Sequence, residues 1–243
     1  MLGLLLLFNA TAMYICSLLS ASVDDGAMNG LLYSAFITTG AALVTLVITR
    51  NRKREIRKRD GYLTVVLGWL SMVLFGTLPY LLTGALESYS DALFETMSGF
   101  TATGATIIQD IEALPKSIIL WRSLTHWLGG MGIIVLAVAI LPLLGIGGVQ
   151  LFSAEATGLG GDKLHPRISD TAKRLWYIYV GFTALEAILL SLAGMTVFDA
   201  VNHSMSTMAS GGFSTKNESL AYWNHRPVIL SLIHISEPTR RKR

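Results

Sequence analysis

An all-α integral membrane fold is predicted by three features of the sequence. Of the 243 residues, 52% are apolar and 14% are charged, where an ordinary soluble domain has roughly a quarter charged. The apolar residues gather into windows of about 20 with almost no charge, the length a helix needs to cross a hydrocarbon core of ~30 Å. Lys and Arg collect between those windows, as they do in the cytoplasmic loops of multi-pass proteins.

The formal charge of +3 comes entirely from the last thirteen residues, SLIHISEPTRRKR, with four basic side chains and one acidic. A second basic cluster, RNRKREIRKRD from Arg50 to Asp60, holds seven basic and two acidic residues. Such a run can bind nucleic acid. Lying between two apolar windows, it is better explained as a cytoplasmic loop, so the expected partner is membrane lipid and not nucleic acid. Cys16 is the one cysteine; it excludes an intrachain disulfide or a thiolate metal site and is expected to be a small packing residue.

Taken in order, the elements alternate across the bilayer. The window Met1 to Ala21 lacks the basic start and small-residue cleavage site of a signal peptide, so it is expected to span. Asp24 and Asp25 follow. Met28 to Thr49 returns to the basic cluster and sets its end inside. Residues 1–49 thus form an N-terminal helix pair and 50–61 a cytoplasmic basic loop. Tyr62 to about Ala85 climbs outward. Asp91 to Thr106 is too short to cross. Ser117 to Leu144 returns inward, completing a unit over 62–148. A cytoplasmic loop is expected at 149–174, with Lys163, His165, Arg167, Lys173 and Arg174. Leu175 to Phe198 goes outward, Asp199 to Thr215 is again too short to cross, and an apolar window opens near Pro227 and stops. This second unit, 175–230, is incomplete. The prediction is five full spans, two re-entrant segments and one clipped span. The acidic loop residues Asp24, Asp25, Glu87, Asp110 and Glu112 fall on the outer side, with Lys116 the main basic exception.

The two short segments are copies of one another. Moving the chain by 108 residues places DALFETMSGFTATGAT over DAVNHSMSTMASGGFS without a gap. Asp91, Ala92, Met97, Ser98 and Gly104 meet Asp199, Ala200, Met205, Ser206 and Gly212. Each copy lies between an outward and an inward apolar segment, which makes a helix, re-entrant segment and helix the repeating unit. Parallel repeats are a known way of building transporters; the alternative is chance similarity between two outer loops.

Each copy reads as a half-helix followed by an extended strand. Ten residues from Asp91 make ~15 Å of helix, half the depth of the core. Asp91 and Asp199 suit N-caps. The opposite, C-terminal end carries partial negative charge and favours a cation. Beyond it lie Thr101, Ala102, Thr103 and Gly104 in the first copy and Ala209, Ser210, Gly211 and Gly212 in the second. Small side chains on an irregular strand can turn carbonyls to one axis, where rings of them replace the water shell of potassium. Such backbone at membrane depth must be buried in protein or line a wet cavity.

On these residues the sequence resembles a known family. TATGAT after the short amphipathic stretch, WRSLTHWLGGMGIIVLAVAILPLLGIGG from Trp121 to Gly148, and SGGFST from Ser210 to Thr215 are similar to the Trk/Ktr/HKT superfamily of potassium transporters, closest to the membrane subunit of the bacterial Trk system. The resemblance covers about Met1 to Leu230. It implies a potassium-channel-like fold of four helix–pore loop–helix units around one pore, preceded by a helix pair, in the bacterial cytoplasmic (inner) membrane. It implies potassium as transported substrate with no cofactor, bound by backbone carbonyls of the eight residues just named. Glycine at Gly104 and Gly212 matches the pattern associated with potassium selection. A homodimer and a TrkA-like cytoplasmic nucleotide-binding regulatory subunit are implied as partners. Only two of the four units are present, so the chain is expected to be a fragment, inactive alone. The tail at 231–243 shares no periodicity with what precedes it and resembles runs that end unrelated translated reads. It is expected to be foreign to the fold; the alternative is a genuine basic tail.

Several other side chains carry open alternatives. Glu95, in the first half-helix, could attract cations at the mouth or brace the half-helix; His203 takes its place in the second. Glu186 lies mid-helix, where an ionisable residue suggests function, though a neutral hydrogen-bonded Glu serves equally. Gly129, Gly130 and Gly132 suit close helix packing. Arg122 and His126 are expected at the interface or against the half-helix. An intramembrane enzyme is the rival from another class, but neither HExxH nor GxSxG occurs, and the five histidines are not at ligand spacing. An inactive structural membrane fragment is the other rival.

Overall fold

In a membrane the outward face of a helix can be as apolar as the core, so helices are held together by small and polar residues on the inward face. The first two helices follow this rule. Helix α1 (Leu2–Val23) buries Gly3, Asn9, Ala10, Cys16, Ser17 and Ser20, while Leu4, Ile15 and Leu18 are exposed. Helix α2 (Met28–Thr49) buries Gly30, Ser34, Ala35, Thr38 and Ala42 and exposes Tyr33, Phe36, Val47 and Ile48. The stripes meet and pair the helices. A Cβ on Gly3 would lie 2.6 Å from Leu46, and one on Gly30 2.6 Å from the Leu82 carbonyl. Cys16, on α1, is fully buried in the core, as expected of a packing residue.

The structure is a computed structural model and describes residues 2–50, 58–144 and 164–223. Most of the basic loop at 50–61, the stretch 145–163, the clipped span from Pro227 and the tail at 231–243 lie outside the described residues. Those described form an all-helical protein. Four segments, Leu2–Val23, Met28–Thr49, Leu63–Leu82 and Lys173–Leu192, are long and apolar enough to cross a membrane. Helix α6 (Lys116–Leu144) has 29 residues, about 43 Å at 1.5 Å per residue, which also exceeds the core.

Two boundaries differ from the sequence prediction. Helix α3 (Lys58–Gly76) starts inside the expected basic loop and breaks before a short helix α4 (Leu78–Leu82). Pro79 near the start of α4 cannot donate an N–H to the turn before it. The Gly76 carbonyl, freed at the break, accepts instead from the Trp121 indole N–H at 3.2 Å. Helix α7 (Leu164–Leu192) begins well before the apolar window opens at 175. Pro166 in its first turn lacks only an N–H that would be unpaired there in any case, and apolar periodicity does not register a polar helix start.

The short segments are helical where expected. Helix α5 (Tyr89–Phe100) and helix α8 (Val197–Met208) have 12 residues each, too few to cross. Asp91 and Asp199 are not the caps. Ser88 and Thr196 are, and the aspartates lie in the first turn, where their charge still favours the helix N-terminus. The Thr196 hydroxyl accepts from the Asp199 N–H at 3.1 Å and donates to its carboxylate at 2.7 Å. A short 3-10 turn, Ser219–Trp223, closes the described chain.

One apolar core joins α1 through α6, centred on Met13, Leu31, Tyr80, Phe100, Ile118 and Trp121. A smaller one, Leu190, Met195, Ala200 and Trp223, seats α8 on α7. Between them runs α6, touching α1, α5, α7 and α8.

Candidate ion-filter site

The two half-helices bury matching positions. Helix α5 buries Ala92, Glu95, Thr96, Ser98 and Gly99, and α8 buries Ala200, His203, Ser204, Ser206 and Thr207, which are the same positions displaced by 108 residues. The repeat continues into the backbone beyond. Ala102 N–H donates to Gly99 O and Thr103 N–H to Ser98 O, both at 3.0 Å; Ser210 N–H donates to Thr207 O at 2.8 Å and Gly211 N–H to Ser206 O at 2.9 Å. This pair of bonds is the Schellman helix stop. It requires a left-handed residue, and Ala102 (φ 52°) and Ser210 (φ 54°) supply it. Gly104 (φ 75°) and Gly212 (φ 94°) are left-handed as well. The segment expected to be an extended strand is irregular backbone with two left-handed residues in each copy. Glycine patterning pointed to Gly104 and Gly212, but nothing in the residue types marks Ala102 or Ser210.

These two segments touch. A Cβ on Gly104 would overlap the Gly211 carbonyl oxygen. Thr101, Thr103, Ser210 and Gly212 are exposed, whereas Phe213, Ser214 and Thr215 turn back into protein. No acidic or basic side chain occurs in 101–104 or 209–212, so polar contact there must come from backbone and hydroxyl oxygens. The Thr101 and Thr103 hydroxyls lie 2.7 Å apart.

Helix α6 holds both segments. Gly129 admits the Phe100 carbonyl at the end of α5, where a Cβ would overlap it, and Gly130 admits Ala209 at the end of α8, with 2.9 Å to a Cβ. The expected packing role of these glycines is met, and a Cβ on Gly132 would lie 3.1 Å from Trp69 in the same sense. Arg122, one of the largest buried side chains, reaches three ways. Its Nε donates to Glu95 Oε1 at 2.8 Å. Its terminal nitrogens donate to Thr106 Oγ1 at 3.2 Å and to the Ser214 carbonyl at 3.3 Å, and its guanidinium lies 4.0 Å from the Phe213 ring centroid. Glu95 also accepts from the Thr106 hydroxyl at 3.0 Å and the Ile107 N–H at 3.1 Å. Fully buried and bonded in this way, Glu95 braces the half-helix; the cation-attracting alternative does not fit. In the second copy the counterpart pair, His203 and Ser214, stands 3.4 Å apart.

His126 is buried too, not interfacial. Its ring stacks on Phe213 at 3.8 Å and 12°, and its Nδ1 lies 3.1 Å from Ser206 Oγ. Glu186 is buried on α7 at 6% exposure. Asn217 accepts from the Ile111 N–H at 2.7 Å and donates to Asp110 at 2.9 Å, tying the loop after the first half-helix to the loop after the second. Sequence patterning missed this link, and it missed the reach of Arg122 across both units. A signal for the latter existed: one Arg and one Glu within apolar helices each require a partner.

A helix, half-helix and helix followed by a second helix and half-helix, with backbone segments meeting at the half-helix ends, define an integral membrane protein of the pore-loop class. The chain belongs to the TrkH family of cation transport proteins, whose family model matches residues 30–236. It is 46% identical over 231 residues to the Trk system potassium uptake protein TrkH of Halomonas elongata, covering 94% of this chain and 48% of that protein. It is 42% identical over 235 residues to TrkH of Escherichia coli K12, covering 96% and 48%. The crystal structure of the potassium transporter TrkH from Vibrio parahaemolyticus superposes with a TM-score of 0.84 at 41% identity, over 96% of this chain and 47% of that one. The chain thus spans about half the length of the relatives it matches.

Proposed function

We propose that this chain forms part of the pore and selectivity filter of a bacterial potassium-uptake transporter in the cytoplasmic membrane. The potassium ligands are the backbone carbonyls of Thr101, Ala102, Thr103 and Gly104 and of Ala209, Ser210, Gly211 and Gly212. The units 62–148 and 175–230 supply two sides of the pore, and the helix pair 1–49 stands outside it. The observation that carries this reading is the seating of Gly104 against the Gly211 carbonyl, at the ends of two half-helices built alike. Left-handed residues at alternate positions turn peptide planes so that carbonyls can share one side, and carbonyl rings select potassium by replacing its water. The negative ends of α5 and α8 favour a cation at the same place. A homodimer and a TrkA-like cytoplasmic subunit complete the assembly in this proposal.

The test is Gly104→Ser in the full-length transporter that carries this segment. A side chain there meets the Gly211 carbonyl and sits at φ 75°, so the segments must part. Uptake of rubidium relative to sodium in potassium-transport-deficient cells should fall on the order of tenfold, a difference of ~1.4 kcal/mol between the ions. An unchanged ratio would overturn the assignment of the filter.

A further inference from the structure

The two filter segments are fastened differently, and the second fastening involves a residue that the repeat does not supply. In the first copy Glu95 and Thr106 hold the strand from its own unit. In the second, the Gly212 N–H donates to Ser206 Oγ at 3.0 Å, and that hydroxyl is bonded in turn to His126 Nδ1 at 3.1 Å. His126 stands on α6, which belongs to the first unit. The Ser98 hydroxyl, the first-copy counterpart of Ser206, has no such bond among the described residues. The His126 ring also stacks on Phe213, the residue after Gly212, and a Cβ on Gly211 would overlap it. Three consecutive residues of the second strand are thereby referred to one imidazole.

We infer that His126 is a positioning residue for ion selection, acting through Ser206 to fix the second filter strand at Gly212. The inference rests on the proposed filter. Gly212 is left-handed and open on its exposed side, with nothing within 4 Å of a Cβ. The position of its backbone is therefore set from behind, by the Ser206 hydroxyl. Either tautomer of His126 can serve, since a hydroxyl both donates and accepts. The role needs shape and one hydrogen bond, not charge.

The experiment is a double-mutant cycle in the full-length transporter, read as rubidium-over-sodium uptake at matched membrane abundance. His126→Leu keeps bulk and loses the bond; Ser206→Ala loses it from the other side. Each should lower discrimination about tenfold, the weight of one net hydrogen bond, and the double variant should be no worse than either, since partners in one network are not additive. His126→Gln, which retains a polar group, should keep most of the discrimination. Normal discrimination in Ser206→Ala, or additive losses in the double variant, would overturn the inference. Ser206→Ala removes only one oxygen, so the test stands even if His126→Leu fails to fold. Absence of rubidium uptake by the parent protein would instead count against the filter proposal itself.

Discussion

Arg122 shows what a single charged side chain must satisfy when protein buries it. An unpaired guanidinium there is costly, and this one has a carboxylate, a hydroxyl and a carbonyl within hydrogen-bond reach. Removing one partner from a buried pair costs more than removing both, because the survivor keeps its charge without compensation. Arg122→Met should therefore destabilise by about 3–5 kcal/mol, seen as a lower midpoint of thermal aggregation of the detergent-purified transporter. Glu95→Gln added to Arg122→Met should restore much of the loss. If the double variant melts below the single one, the pair is not what holds the two units there. Individual residues of this kind were only partly legible. Glycine at 104 and 212 was visible because few residues tolerate those backbone angles. Ala102 and Ser210 adopt them too, and no local pattern announced it. The partner of Glu95 lay in another helix, where spacing along the chain says nothing.

Helices were the most legible features, because the bilayer fixes their length and composition together. Both re-entrant helices fell where shortness and internal similarity placed them. Their caps did not, since Ser88 and Thr196 precede the more conspicuous aspartates. Connections between helices were illegible, and the start of α6 is an example. Ser117 N–H, in its first turn, donates to Asp25 Oδ2 at 2.9 Å, so an aspartate from the loop between α1 and α2 caps a helix far along the chain. Asp25 also accepts from the Ser20 hydroxyl and the Ala27 N–H. Burial alone would raise its pKa, but these bonds outweigh it and hold the carboxyl below its ordinary value. A carboxylate whose pKa is lowered by folding stabilises the fold above its unfolded value, near 3.9, and loses that contribution as pH falls through the folded value. Thermal stability should accordingly drop as pH is taken below about 4, and Asp25→Asn should flatten that part of the profile. A profile identical in the variant would remove Asp25 from the cause.

As an assembly, the described chain presents two proposed filter segments in which Thr101, Thr103, Ser210 and Gly212 are uncovered. A dehydrated ion needs ligands on every side, and hydrocarbon offers none to bare backbone. The 243-residue chain reconstituted alone in liposomes should take up no rubidium above empty vesicles, whereas the full-length transporter should. Uptake by the chain alone would point to a ring assembled from two copies. The four-unit plan behind this expectation came from resemblance; the arrangement of two units came from the 108-residue repeat.

The glycine pair on α6 has a mechanical consequence. Gly129 seats the end of one half-helix and Gly130 the end of the other. Successive residues of a helix differ by ~100° in direction and only ~1.5 Å in height. The two segments therefore bear on a single shaft at nearly one level. A slide of α6 along its axis would carry both in the same direction and leave their mutual spacing intact. A twist would drive them along tangents about 100° apart and shear one past the other. The first motion would leave the contact of Gly104 with the Gly211 carbonyl as it stands, and the second would displace one side of it against the other.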